Sequence, residues 1–120
     1  MTDFILKPVK EPISYKDLSK IDVRVGKIKQ VVDIEESDKL VKLIVDFGDH
    51  QRTIIVGLKE EREDPSEIEG FQALFVVNLP TKEMFGHKSE GMLFDIGYDN
   101  KITPVLAVPE KEVPNGSSAG

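Results

Sequence analysis

An all-β barrel of five strands, with one short helix between the third and fourth, is the fold this sequence predicts. Three observations predict it: apolar residues alternate with period two in several short runs, turn residues punctuate those runs, and a single proline-led helix start lies midway along the chain. The 120 residues are 39% hydrophobic, enough for one core, and the absence of cysteine excludes disulfides and thiolate metal sites.

The first run alternates Ile21, Val23 and Val25 against Asp22 and Arg24. Gly26 then intervenes and the apolar phase resumes at Ile28 and Val32. This predicts a long strand with a bulge at Gly26, where the strand bends to serve two sheets. Val41, Leu43, Val45 and Phe47 mark the second strand, Gly48-Asp49-His50 the hairpin turn after it, and residues 53–56 the third strand. Asp64-Pro65-Ser66-Glu67 reads as a helix start: Asp64 is the N-cap, Pro65 lies where its missing amide costs nothing, and Glu67 is placed for a capping box. Gly70 ends that helix after little more than a turn.

Residues 71–77, apolar on both faces, predict a central fourth strand. Residues 92–96 and 102–108 flank Gly97-Tyr98-Asp99-Asn100 as a closing hairpin, with Pro104 marking an unpaired edge, and the stretch from Pro109 reads as loop. This is the element order of an OB-fold barrel; the interposed helix and the curved first strand separate it from an SH3-type barrel. Residues 1–13 form an N-terminal extension, residues 14–116 the domain and residues 117–120 a tail. In the extension Phe4, Ile5, Leu6 and Val9 lie outside the barrel pattern. They either cover a neighbouring subunit, making a homodimer the expected state, or pack on their own barrel.

A formal charge of −6 and a pI near 4.9 argue against indiscriminate nucleic-acid binding. Residues 59–69 alone carry −4, whereas Lys16, Lys20, Arg24, Lys27 and Lys29 outnumber Asp17 and Asp22 around the first strand. That local excess suits an anionic partner, and equally a solvated strand edge carrying lysines. No apolar run approaches the roughly 20 residues of a membrane helix, and the N-terminal stretch lacks a signal-peptide core. A cytoplasmic protein without membrane association is expected.

Catalytic machinery is not legible. The two histidines, His50 and His87, lack metal-ligand spacing, the Gly-x-Ser-x-Gly pattern fails around Ser89, and no glycine-rich phosphate loop is present. Neither enzymatic activity nor a metal or cofactor is expected. The most informative stretch is residues 78–92, NLPTKEMFGHKSEGM, which mixes amide, hydroxyl, ammonium and apolar groups without a nucleophile paired to a base. It reads as a loop built for recognition.

Three motifs in order, Ile21-Asp22-Val23-Arg24-Val25-Gly26-Lys27-Ile28, Val76-Val77-Asn78-Leu79 and Lys88-Ser89-Glu90-Gly91-Met92-Leu93, resemble the tRNA-binding domain family. The similarity covers about residues 14–116. That family includes the C-terminal appendage of methionyl-tRNA synthetases, free-standing tRNA-binding proteins and the domain of the endothelial-monocyte-activating polypeptide. The resemblance implies an OB barrel that grips the outer corner of tRNA by shape and backbone. Because the chain begins at a methionine and contains no catalytic domain, a separate auxiliary subunit of methionyl-tRNA synthetase is expected. An export-related chaperone of the same fold family, binding unfolded peptide segments, is the alternative.

On that resemblance, Arg24 would pair a phosphate as a planar fork, unless it pairs a carboxylate across the sheet, and Lys27 and Lys29 would add unspecific attraction. Asn78 would bond a base or ribose, or hold the following loop through its amide. Lys88 would meet phosphate, and Ser89 a phosphate or 2′-hydroxyl. Met92 would lie beneath an unstacked base or open its strand as a core residue. Phe85 would stack on a base or ribose, or fold back over the barrel end. Many relatives carry a Pro-Arg-Lys type cluster where this chain has Pro80-Thr81-Lys82-Glu83. Lys82 remains a candidate contact, but Glu83 subtracts from the positive field, so weaker or more salt-sensitive tRNA binding is expected.

Overall fold

The computed structural model describes residues 3–120; residues 1 and 2, the start of the expected extension, lie outside it. The alternating runs become antiparallel strands β1 (Val23–Asp33), β2 (Val41–Asp46), β3 (Gln51–Val56) and β4 (Gln72–Val76). After them come β5 (Lys82–Met84), β6 (His87–Ser89), β7 (Met92–Leu93) and β8 (Ser118–Ala119). The main sheet runs β3-β2-β1-β4-β7, the strand order expected of a curled OB-type barrel. Its inner face is legible in β2, where Val41, Leu43 and Val45 are buried while Lys42, Ile44 and Asp46 are only half-buried. With Ile28, Phe47, Ile54, Leu58, Ala73, Phe75 and Leu93 they form one core. Each fully buried side chain of this size contributes about 1.5–3 kcal/mol.

The helix between β3 and β4 is a single 3-10 turn, Pro65–Ile68. Asp64 caps it by accepting a hydrogen bond from the Ser66 N–H (3.1 Å), and the turn inserts Ile68 into the core. A further helical turn, α1 (Tyr15–Leu18), which no periodicity announced, is capped by the Ser14 hydroxyl.

Several expectations are corrected. The bulge in β1 falls between Ile28 and Gln30, leaving Lys29 unpaired, rather than at Gly26. Gly26 is required for a different reason: a Cβ there would overlap Val45 Cγ1 and stand 2.7 Å from the Phe47 ring. The stretch at residues 82–89, expected as loop, is a two-stranded ribbon turned by Phe85 and Gly86, both at positive φ (50° and 79°). A two-residue turn of this kind matches the twist of its strands, but holding a non-glycine residue there costs on the order of 1 kcal/mol.

The closing hairpin keeps only Met92–Leu93 as regular strand and one bridge, Ile96 to Val105, because Pro104 removes a donor and Gly97 turns the chain at φ 104°. Residues 117–120 are no tail. β8 pairs with Val23 and Arg24, and the Val25 N–H donates to Ser117 O (2.9 Å), giving β1 a neighbour where its edge would otherwise be open.

Candidate nucleic-acid interface

The barrel closes where β3 meets the segment at residues 88–91. The Ser89 hydroxyl accepts from the Ile55 N–H (3.0 Å) and donates to Gly91 O (3.1 Å). The Glu90 N–H donates to Thr53 O (2.8 Å), while the Glu90 carboxylate accepts from the Thr53 N–H (2.9 Å). A Cβ at Gly91 would stand 2.9 Å from Val76 O. The Ser-Glu-Gly motif is therefore the seam of the barrel. Ser89, expected to meet phosphate or a 2′-hydroxyl, is only 5% exposed and has its hydroxyl engaged as donor and acceptor within the chain. Sequence pattern alone gave no sign of this, because the partner strand lies 34 residues upstream.

Arg24 does not lie on an outer polar face. In β1 it shares a side with Gly26 and Ile28 and stands opposite buried Phe75, so it projects from the core side at the open end of the barrel. Its guanidinium is a fork on Asp22: Nε donates to Oδ1 (3.0 Å) and Nη2 to Oδ2 (3.1 Å). That bonding, with the charges of Asp22 and Asp49, raises its pKa and keeps it a cation. The carboxylate partner comes from two residues upstream rather than from across the sheet.

Arg52, a residue whose role the sequence did not announce, occupies the same end. It stands opposite Val45, its guanidinium carbon 5.9 Å from the centroid of Phe47, and Phe47 meets Phe75 edge-on at 5.6 Å. Arg52 Nη1 donates to Val77 O (2.7 Å) and Glu90 O (2.9 Å), and its Nε donates to His50 Nε2 (3.0 Å). With that acceptor role at Nε2, the neutral ring carries its proton at Nδ1 and donates it to Asp49 Oδ1 (2.6 Å). The hydrogen bond from His50 holds the Asp49 carboxyl below its usual range.

Asn78 adds a clamp at this end. Its Oδ1 accepts from the Asp22 N–H (2.9 Å) and its Nδ2 donates to Lys20 O (2.6 Å), so its amide holds the entry to β1 rather than the loop that follows it.

The β5–β6 ribbon gathers three more candidates. Glu83 pairs with Lys88 in register, and Lys82 with Ser89. Since Ser89 turns inward, Lys88 and Glu83 share the opposite, outer side. Lys82, Phe85 and Lys88 are all exposed, and among the described residues neither lysine has a carboxylate within 4.0 Å. The Met92 side chain is 47% exposed, against the core alternative.

Lys27 and Lys29 stand apart. Lys27 is half-buried opposite Asp46, and Lys29 lies on the bulge about 17 Å along β1 from Arg24, close to Glu69, whose carboxylate accepts from the Val31 N–H (2.8 Å). Arg24, Asn78 and the 88–92 segment thus come together around one barrel end, with the ribbon beside them, and the two lysines of the distal half of β1 do not. Such a surface offers cations, an aromatic ring and a thioether. Among the described residues no group of three or more histidines and carboxylates is arranged to hold a metal.

Comparison with known proteins gives a consistent result. A family model described as "Putative tRNA binding domain" matches residues 23–118. A methionine–tRNA ligase of Archaeoglobus fulgidus is 40% identical over 108 residues, 90% of this chain and 16% of that enzyme's length. The crystal structure of a methionyl-tRNA synthetase-related protein from Pyrococcus horikoshii superposes with a TM-score of 0.82 at 37% identity, over 92% of this chain and 100% of that one. The chaperone CsaA of Bacillus anthracis superposes with a TM-score of 0.80 at 25% identity, over 92% and 100%.

Proposed function

This chain belongs to the tRNA-binding domain family, and from that membership we propose that it is a non-catalytic cytoplasmic module that recognises tRNA by shape and backbone, as a separate auxiliary subunit of a methionyl-tRNA synthetase. The observation that carries the reading is the family match along nearly all the strands, including both strands of the ribbon that bears Lys82 and Lys88, neither of them in an ion pair within 4.0 Å. The full coverage of the Pyrococcus protein supports the separate-subunit form. The RNA-binding unit begins at about residue 14 and includes β8; in it Arg24, Lys82 and Lys88 meet phosphates and Met92 lies against a base or ribose.

Filter retention of tRNA by the wild type at about micromolar concentration, falling as salt rises, is the expected result. The Lys88→Ala and Arg24→Ala double variant is expected to bind about tenfold more weakly, with a salt slope shallower by roughly one per lost contact. Retention that ignores both substitutions would sink the site, and no retention by the wild type would sink the function.

The likeness to CsaA favours one second reading, capture of unfolded peptide on the exposed apolar side chains. Suppression of aggregation that tRNA does not compete away would select it.

The arm of residues 1–13 serves a homodimer in our reading. Leu6 is 81% and Val9 99% exposed, and Phe94, Ile96 and Val105 add apolar surface at and beyond the β7 edge. Among the described residues of the arm, only Ile5 is hydrogen-bonded, its N–H donating to Asn100 O and its own carbonyl accepting from Asn100 Nδ2. Light scattering of the full chain is expected to give twice the chain mass, and deletion through Lys10 the monomer. An unchanged mass after deletion would count against the arm.

A further inference from the structure

We propose that Phe85, at the tip of the β5–β6 ribbon, stacks on an unstacked nucleobase of the bound RNA, so that the ribbon supplies a base contact to a surface that otherwise meets backbone. The inference rests on the tRNA-binding reading above and assigns the ribbon its role within it.

The turn is the first reason. Phe85 and Gly86 are the two central residues between Met84 and His87, and both take positive φ. Backbone sterics favour Asn-Gly at such a position, and a bulky aromatic residue is among the poor choices. Burial does not compensate, because Phe85 is 55% exposed. A strained backbone carrying a ring that gains little from its own protein is the signature of a contact made elsewhere.

The setting is the second reason. Lys82 and Lys88 stand exposed on the two strands and on opposite faces of the ribbon, neither with a carboxylate within 4.0 Å although Glu83 lies across from Lys88, so each face of the ribbon behind the ring carries an ammonium group. Nucleic acid satisfies both at once, since a base face stacks on the ring and the adjoining phosphates meet the lysines. An apolar peptide has no use for the cations. Phe4, Tyr15, Phe71, Phe94 and Tyr98 are exposed too, but none of them is held at positive φ.

Rigidity is the third. The base of the ribbon is fastened to β3, where the Thr53 hydroxyl donates to Lys88 O (2.8 Å) and Ser89 closes the seam, so the tip is held by a fixed support.

The chain contains no tryptophan, so Phe85→Trp places a lone indole at the tip, excitable apart from the two tyrosines. tRNA is expected to quench it, with affinity held within about twofold of wild type, while Phe71→Trp, beside Ile28 at the far end of β4, is not quenched. Phe85→Asn provides the second arm: it suits the turn, so its thermal midpoint should rise, while tRNA affinity falls about tenfold with the salt slope unchanged. If the wild type binds tRNA but Phe85→Asn binds equally well and Trp at position 85 is unquenched, the inference fails and the tRNA reading stands. A lowered midpoint in Phe85→Asn would give Phe85 a packing role and overturn the argument from the turn. A wild type that does not bind tRNA would overturn both.

Discussion

The Ser89 hydroxyl takes a hydrogen bond from one strand and gives one to its own turn, at a position almost closed to solvent. Ser89→Ala would leave the buried Ile55 N–H without its acceptor, a loss of about 1–3 kcal/mol. Urea unfolding should show that loss as an earlier midpoint, while the tRNA affinity of the folded fraction stays unchanged. A stable variant with weakened binding would instead restore Ser89 to the RNA surface. Arg52 belongs to the same scale. Its guanidinium joins Val77, Glu90 and His50 above Phe47, tying three chain segments at the barrel end.

Among the elements, β1 organises the rest. It pairs with β4 over its first half, with β2 over its second, and with β8 at its start. A strand shared in this way must bend hard, and the unpaired Lys29 at the bulge provides the bend. Gly26 lets β2 and the Phe47 ring approach the strand's inner face, so Gly26→Ala should cost about 1–3 kcal/mol through overpacking, read as an earlier denaturant midpoint with the same slope. The equivalent substitution at Gly70, where a Cβ would meet nothing within 4 Å, bears only the backbone strain of φ 90°. A Gly26→Ala protein as stable as wild type would refute the close-packing role.

The molecule as a whole has a radius of gyration of 14.9 Å, above the roughly 13.6 Å of a compact 120-residue domain, consistent with a largely exposed N-terminal arm. Its acidic balance also has a half-buried part. Glu61 and Asp95 line one crevice with Leu58, Leu93, Pro104 and Leu106. Burial, and then the Asp95 charge, raises the Glu61 pKa, and burial raises that of Asp95. In the unfolded chain each carboxyl ionises first, so the folded state binds more protons between the two values. Stability from this pair is therefore greatest below the unfolded pKa of about 4 and declines as pH rises through the folded values. Asp95→Asn should raise the thermal midpoint at neutral pH and flatten its pH dependence, as melts across that range will test. A midpoint that falls at neutral pH would mean that the charge is needed.

The alternation in residues 21–56, the Asp64-Pro65 cap and the glycine turns are local signals, and they sufficed for the order of elements and the helix position, because side-chain period and turn chemistry act over a few residues, whereas the family rested on the resemblance of three motifs. The ribbon escaped notice, since its turn uses Phe-Gly where Asn-Gly would have announced it, and β8 was hidden in a polar stretch whose partner strand lies far upstream. Much of the candidate surface was legible only as a set of residue types. Sequence by itself determined which residues can form strands and which groups can bind an anion. Tertiary structure alone decided that Ser89 closes the barrel, that Asn78 clamps the entry to β1, and that Arg24 projects from the barrel's end, because each depends on which distant backbone group folding brings within hydrogen-bond reach.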